Sequence, residues 1–423
     1  MTAPLQSPKE PFHKGLAPSP GRHQGASRQP CLFNDDLPLP LAVLKKPALD
    51  HNRAWMRRFL AETDVLLCPH GKTTMSPQLF QMQLDDGAWG ITAATAHHVR
   101  LYAQFGVKNI FLANQLIGAG NIRAVLDVLH GDQAITCTVL ADSLAGVEQL
   151  AAVTAQHPYA GRLGVLVESG IAGKRTGARG LEQALILARS IAKSVNSLCL
   201  AGIALYEGVV PAGDPKSAPL IEQLHRDAAA VLAEATREQL WGGDEVLLSA
   251  GGSVFPDLAV AFLQQSRLDR PLKKLLRSGC YLTSDAQHYR RAAQQMMQRG
   301  PSPRNLGDFI PALEVWAHLQ SMPEPGLAVA ALGKRDISYD IEPPVLQQVC
   351  RPGTAPKAFK GAAEVVALYD QHAVLKIAPN HDLQIGDLLG FSMAHPCTTF
   401  DKWRVIPVVD ADYRIVETIE TFF

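Results

Sequence analysis

Residues 65–93 read VLLCPHGKTTMSPQLFQMQLDDGAWGITA, one complete βα unit and the start of the next. Val65–Cys68 is a short, continuous apolar run, the pattern of a parallel strand buried on both faces. Ser76-Pro77 then opens a helix with proline at its first position, where the missing N–H costs nothing. Leu79, Phe80, Met82 and Leu84 recur along that helix, and Gly87 stops it. Gly90–Ala93 begins the second strand.

The same alternation continues. Further strands are predicted at Ile110–Ala113, Ile135–Leu140, Leu163–Val167, Ala201–Leu205, Val246–Ser249 and Lys274–Arg277. Helices are predicted from Ser143 onward, with Leu144, Val147, Leu150 and Val153 on one face, and over Leu181–Lys193, Ala218–Thr236 and Pro256–Gln265. Eight units over roughly 230 residues match a (β/α)8 TIM barrel. A doubly wound sheet is the competing α/β arrangement, but eight evenly spaced units favour closure.

After about residue 305 the texture changes. Leu327–Leu332, Glu364–Tyr369, Ala373–Ile377, Leu388–Phe391, Lys402–Val408 and Tyr413–Ile419 read as strands separated by Gly, Pro, Asn and Asp turns. The expected organisation is a Pro-rich segment over 1–40 that packs on the β domain or stays disordered, a barrel over 41–300, and a smaller antiparallel β domain over 301–423.

Composition narrows the function. Of 423 residues 47% are apolar, enough to fill a barrel core, and Lys+Arg and Asp+Glu are 40 each. A zero formal charge argues against nucleic-acid and membrane-surface partners, which need a basic excess. No apolar run is long enough to cross a bilayer. The opening segment has no apolar core of a secretory signal. Seven dispersed cysteines without a CxxC pair read as reduced thiols, which suits a cytoplasmic protein.

Chemistry is expected at the C-terminal ends of the barrel strands. Strand one ends in His70-Gly71-Lys72-Thr73, which puts a lysine over the mouth where it can form an imine. A surface lysine is the bland alternative. Strand five leads to Arg175-Thr176-Gly177, suited to an anionic oxygen, and strand six to Tyr206-Glu207-Gly208, an aromatic for a flat ring. An ordinary loop arginine and rim packing are the alternatives. Strand seven ends in Gly251-Gly252-Ser253 before a helix, where backbone N–H groups can approach a phosphate. Strand eight adds Gly279-Cys280-Tyr281 beside it. In the β domain, His395 and Cys397 lie two apart, and in an extended segment they point to one side, as a zinc pair would. A buried histidine beside a structural cysteine is the alternative.

Taken together these motifs resemble the D-serine dehydratase and D-threonine aldolase family, fold-type III pyridoxal-phosphate (PLP) enzymes related to alanine racemase. The resemblance runs from Leu37 onward, through Cys68-Pro69-His70-Gly71-Lys72-Thr73, Gly87–Thr95, Arg175-Thr176-Gly177, Tyr206-Glu207-Gly208, Gly251-Gly252-Ser253, Gly279-Cys280-Tyr281 and His395–Thr399. It implies that Lys72 holds PLP as a Schiff base and that Gly251, Gly252 and Ser253 hold its phosphate. It also implies Arg175 at the phenolic oxygen and Tyr206 near the ring, with His70, Thr176, Gly279 and Tyr281 completing the cofactor site. His395 and Cys397 match the metal ligands. The aldolases usually carry His-x-Asp with manganese or magnesium, the dehydratases His-x-Cys with zinc, so Cys397 points to zinc.

Where many relatives read Lys-Thr-His-Lys, this chain has Lys72-Thr73-Thr74-Met75, similar to the amino acid deaminase branch. The expected reaction is dehydration of D-3-hydroxy amino acids, with D-threonine aldol cleavage and a non-catalytic PLP carrier as alternatives. The family habit of completing the site between subunits implies a homodimer.

Overall fold

The computed structural model describes residues 14–15, 30–34, 37–299 and 307–423. Most of the Pro-rich segment therefore lies outside the described residues. Eight parallel strands form the barrel: Leu66–Leu67, Ile91–Ala93, Asn109–Gln115, Thr136–Ala141, Leu163–Gly170, Leu198–Leu205, Val246–Ala250 and Leu272–Leu276. The eighth pairs with the first, Leu275 opposite Leu66. The first and second are joined where Trp89 N–H donates to the Leu67 carbonyl and Thr92 N–H to the Pro69 carbonyl, both at 2.8 Å. The ring is closed.

Its interior is a layer contributed by nearly every strand: Cys68, Phe111, Leu140, Leu166, Ala204, Leu247 and Leu275. Side chains on the opposite strand faces pack against the surrounding helices, which is why the strand sequences are apolar on both sides. Pro256–Gln265 is helical over the span predicted, and the Ser143 hydroxyl caps its helix by accepting from Gly146 N–H. Four further helices lie outside the predicted spans: Lys46–Thr63, Ala96–Gln104, Ala119–Gly131 and His288–Arg299.

The β domain draws on both ends of the chain. Its longest strand, Leu313–Glu324, pairs antiparallel with Leu41–Lys45 and with Leu388–Ser392. The boundary expected at residue 41 thus falls after Lys45. Ala42, Val43 and Leu44 are fully buried in this sheet, and their continuous apolar run imitates a barrel strand. One parallel pair, Leu44 opposite Val408, interrupts the expected antiparallel pattern. Residues 30–34 lie on the same sheet, with Leu32 N–H donating to the Tyr413 carbonyl at 3.1 Å.

The two domains meet beside the lysine turn. Phe422 N–H donates to the Met75 carbonyl at 2.9 Å, so the chain's last residues fasten the segment that follows Lys72. Among the described residues no helix is long and apolar enough to cross a membrane.

Candidate active site

Lys72 sits in the helical turn Gly71–Thr73 that follows the first barrel strand. The turn is tight because Gly71 has no side chain: a Cβ there would lie 2.6 Å from both the Phe80 ring and the Tyr102 hydroxyl. Met75 N–H and Thr74 N–H both donate to the Gly71 carbonyl, at 2.9 and 3.2 Å. Lys72 is exposed into a cavity of about 160 Å³ and makes no hydrogen bond or ion pair among the described residues.

The barrel supplies His70, Lys72, Arg175, Tyr206, Gly252, Ser253 and Gly279 to this cavity, and the β domain supplies His395 and Cys397. Three expected residues stand apart from the lining. Thr176 does not line it. Gly251 is buried behind it, and its N–H already donates to Glu207 Oε2 at 2.8 Å, which takes that donor away from a phosphate. Tyr281 turns into a neighbouring apolar pocket with Trp55, Met56 and Phe309. The sequence places all three beside the site, but side-chain direction depends on packing.

Burial pushes the His70 imidazole well below its usual range, and the nearby Lys72, Arg277 and Arg175 push the same way. The ring is therefore neutral, and its Nδ1 is buried without a partner. Arg277, at the end of strand eight, is only 3% exposed and was missed by the sequence reading. One of its nitrogens donates to the Leu205 carbonyl, its Nε has no partner, and its guanidinium lies 5.4 Å from the Phe111 ring centroid, on the barrel core. Burial lowers its pKa, opposed by Glu168 and Glu207.

Arg175 lies 5.1 Å from the Tyr206 ring centroid. Its loop is held by Arg179, whose guanidinium donates to the carbonyls of Arg175, Thr176 and Gly177 at 2.7–2.9 Å. The strand-seven loop is held from behind by Glu207, which accepts from Gly251 N–H through one oxygen and bonds His225 Nε2 at 2.9 Å through the other. Gly252 faces Tyr206 so closely that a Cβ would lie 2.6 Å from the ring.

The β-domain pair departs from the expected geometry. Pro396 has φ −56° and ψ −38°, and Cys397 begins the short helix Cys397–Phe400, so the segment is not extended. Both side chains nevertheless line the cavity. Cys397 Sγ donates to Thr73 Oγ1 at 3.4 Å, and Cys280 lies 3.7 Å from the same hydroxyl. The neighbouring Cys397 draws the Cys280 thiol below its usual range against the effect of burial, and Cys280 together with burial pushes Cys397 up. Tyr289 of helix His288–Arg299 closes the cavity here, its hydroxyl pushed upward by Cys280 and by burial. His395 Nδ1 lies 2.5 Å from Asp340 Oδ2. Burial would raise Asp340, but hydrogen bonds from Thr398 and His395 hold it below the usual carboxylate range.

Among the described residues no three His, Cys, Asp or Glu side chains cluster as a metal cage. His395 and Cys397 offer a nitrogen and a sulfur, a donor set that suits zinc and leaves open positions for water or substrate. The barrel side offers an unpaired amine, two buried ring and guanidinium nitrogens without partners and a flat aromatic wall, which fits an anionic, aldehyde-bearing aromatic cofactor.

The closed barrel with an appended β domain is the alanine racemase-like fold. Residues 312–409 match the family model described as "Putative serine dehydratase domain". A D-threonine aldolase of Arthrobacter sp. is 24% identical over 373 residues, 88% of each chain. The crystal structure of D-threonine aldolase from Filomicrobium marinum superposes with a TM-score of 0.74 at 20% identity, over 93% of this chain and 98% of that one. D-threo-3-hydroxyaspartate dehydratase from Delftia sp. HT23 does so at 0.70 and 21%, over 91% and 98%. A cysteine-to-alanine variant of D-threo-3-hydroxyaspartate dehydratase, in its metal-free form, gives 0.71 and 22%, over 93% and 99%. The resemblance read in the sequence holds, and so does the fold class.

Proposed function

We propose that this chain is a PLP-dependent lyase that removes water from D-3-hydroxy amino acids such as D-serine or D-threonine, giving a 2-oxo acid and ammonia, with zinc on His395 and Cys397. One observation carries the reading: an unpartnered barrel lysine and a β-domain His-x-Cys pair converge on one cavity. When bound, PLP supplies an electron sink for charge developing at the substrate α-carbon.

The chain's own residues do the rest. Lys72 Nζ is the amine that would hold the aldehyde and the base placed to take the α-proton. Arg175, Arg277 and Ser253 supply charge and donors to anionic oxygens, and Tyr206 backs the ring. His70, neutral and with a free Nδ1, can exchange a hydrogen bond without adding positive charge beside Lys72. Hydroxide is a poor leaving group, and a cation held by His395 and Cys397 would stabilise its charge.

Retro-aldol cleavage is the second reading, supported by the similarity to two D-threonine aldolases. Purified protein supplied with PLP, zinc and D-threonine decides between them. A 2-oxo acid with ammonia upholds dehydration, and glycine with an aldehyde overturns it. Lys72→Ala should abolish both turnover and the near-visible absorbance of bound cofactor. Colour and activity that survive that change would remove Lys72 from the mechanism.

A further inference from the structure

We propose that Asp340 is the positioning residue for His395, bonding its Nδ1 and leaving Nε2 as the nitrogen that takes a cation. This inference rests on the metal reading above. His395 Nδ1 and Asp340 Oδ2 are 2.5 Å apart, and the second carboxylate oxygen accepts from Thr398 Oγ1 at 2.7 Å. Both oxygens of Asp340 are therefore engaged, and the carboxylate cannot swing away without breaking two bonds. A carboxylate only accepts, so Nδ1 is the donor, and in the neutral ring Nε2 carries the lone pair.

The loop bearing Asp340 is itself fastened on both sides. Ser338 N–H donates to Thr399 Oγ1 at 2.9 Å, and Trp403 Nε1–H donates to the Asp336 carbonyl at 2.8 Å. Both ties run to the short helix that starts at Cys397 or to the turn just after it. On the other flank Glu342 pairs with Arg291, and Gln287 Nε2–H donates to the Pro343 carbonyl at 3.2 Å, both from the segment carrying Tyr289. One loop thus ties the histidine, the helix carrying the thiol and the wall of the cavity together.

An outer carboxylate that fixes a ligating imidazole is commonly worth about 10–100-fold in metal affinity. Asp340 does not line the cavity, so it acts through His395 rather than on a substrate.

The test has two readouts. In the first, the full chain with 15N-labelled histidine rings is observed metal-free at mildly alkaline pH, with His395→Ala assigning the signal. Wild type should show one tautomer, protonated at Nδ1, and Asp340→Asn or Asp340→Ala should shift it to a mixture. An unchanged tautomer in both variants overturns the proposal whether or not a metal binds. In the second, zinc is titrated in competition with a chelator. Wild type should bind one zinc per chain, and both Asp340 variants should keep that stoichiometry while weakening it about 10–100-fold. Equal affinity in wild type and variants overturns the positioning role. Absence of zinc binding in wild type sinks the metal reading instead, while the ring signal still reports on Asp340.

Discussion

Cys397 donates its thiol hydrogen bond to Oγ1 of Thr73 at 3.4 Å, across the seam between the β domain and the barrel and one residue from Lys72. The same hydroxyl stands 3.7 Å from Cys280 Sγ, so one threonine sets the spacing of two sulfurs and the lysine turn. Thr73→Val keeps the shape and deletes the bond. Cofactor absorbance should be retained while kcat falls about five- to tenfold, the worth of one hydrogen bond of about 1 kcal/mol. Steady-state kinetics beside an absorbance spectrum checks this, and an unchanged kcat would show the bond to be incidental.

Glu207 is fully buried and satisfies two donors at once, Gly251 N–H and His225. Glu207→Ala leaves both without a partner, at about 1–3 kcal/mol each. Denaturant unfolding should show a loss of that order. PLP affinity should fall with it, because the loop carrying Gly252 and Ser253 loses its backing. Full stability in the variant would mean that water replaces the carboxylate.

Arg179 acts at a distance from the reacting atoms. Its guanidinium holds the carbonyls of Lys174, Arg175, Thr176 and Gly177, and Gly170 gives it room, since a Cβ there would lie 2.1 Å from its Nη1. Arg179→Met keeps the stem and removes the clamp, so Arg175 loses its fixed place over Tyr206. PLP should bind about tenfold more weakly, one to two hydrogen bonds' worth, while thermal stability hardly changes. A fluorescence titration of apo protein measures the first and a melting curve the second. The idea fails if PLP binds as tightly as in wild type.

The barrel was legible because each strand announces itself locally. A continuous apolar run followed by a proline or serine helix start needs no distant partner to be recognised, as at Pro256–Gln265. Leu41–Lys45 was not legible for the opposite reason: its partners are Leu313–Trp316 and Val408–Val409, hundreds of residues away. The site follows the same division. Lys72, Arg175, Tyr206 and Ser253 sit on motifs at strand ends. Arg277 and Asp340 do not stand out in the sequence, since a lone Arg or Asp is ordinary until folding buries it or sets it against a histidine. Thr176, Gly251 and Tyr281 stand outside the cavity lining, because a motif fixes where a residue is and not which way it points. His395 and Cys397 reach one cavity by a helical turn rather than by strand alternation.

Asp285 gives the last prediction, one of stability rather than activity. It is buried, and its carboxylate accepts from Gln287 N–H at 2.7 Å and from Tyr289 N–H at 3.0 Å, capping the helix that carries Tyr289 into the cavity. Burial raises its pKa from 3.8 to about 6, against those backbone bonds. Between about pH 4 and pH 6 the folded protein therefore holds a proton that the unfolded chain has lost, and stability falls as pH rises through that window. A shift of about two units corresponds to about 3 kcal/mol in all. Asp285→Asn cannot titrate and should remove this component, so the wild-type-minus-variant difference in unfolding free energy should decline from pH 4 to pH 6 and level off above it. A difference that stays flat across that range would mean that Asp285 is already ionised in the fold at low pH, and that the cap outweighs its burial.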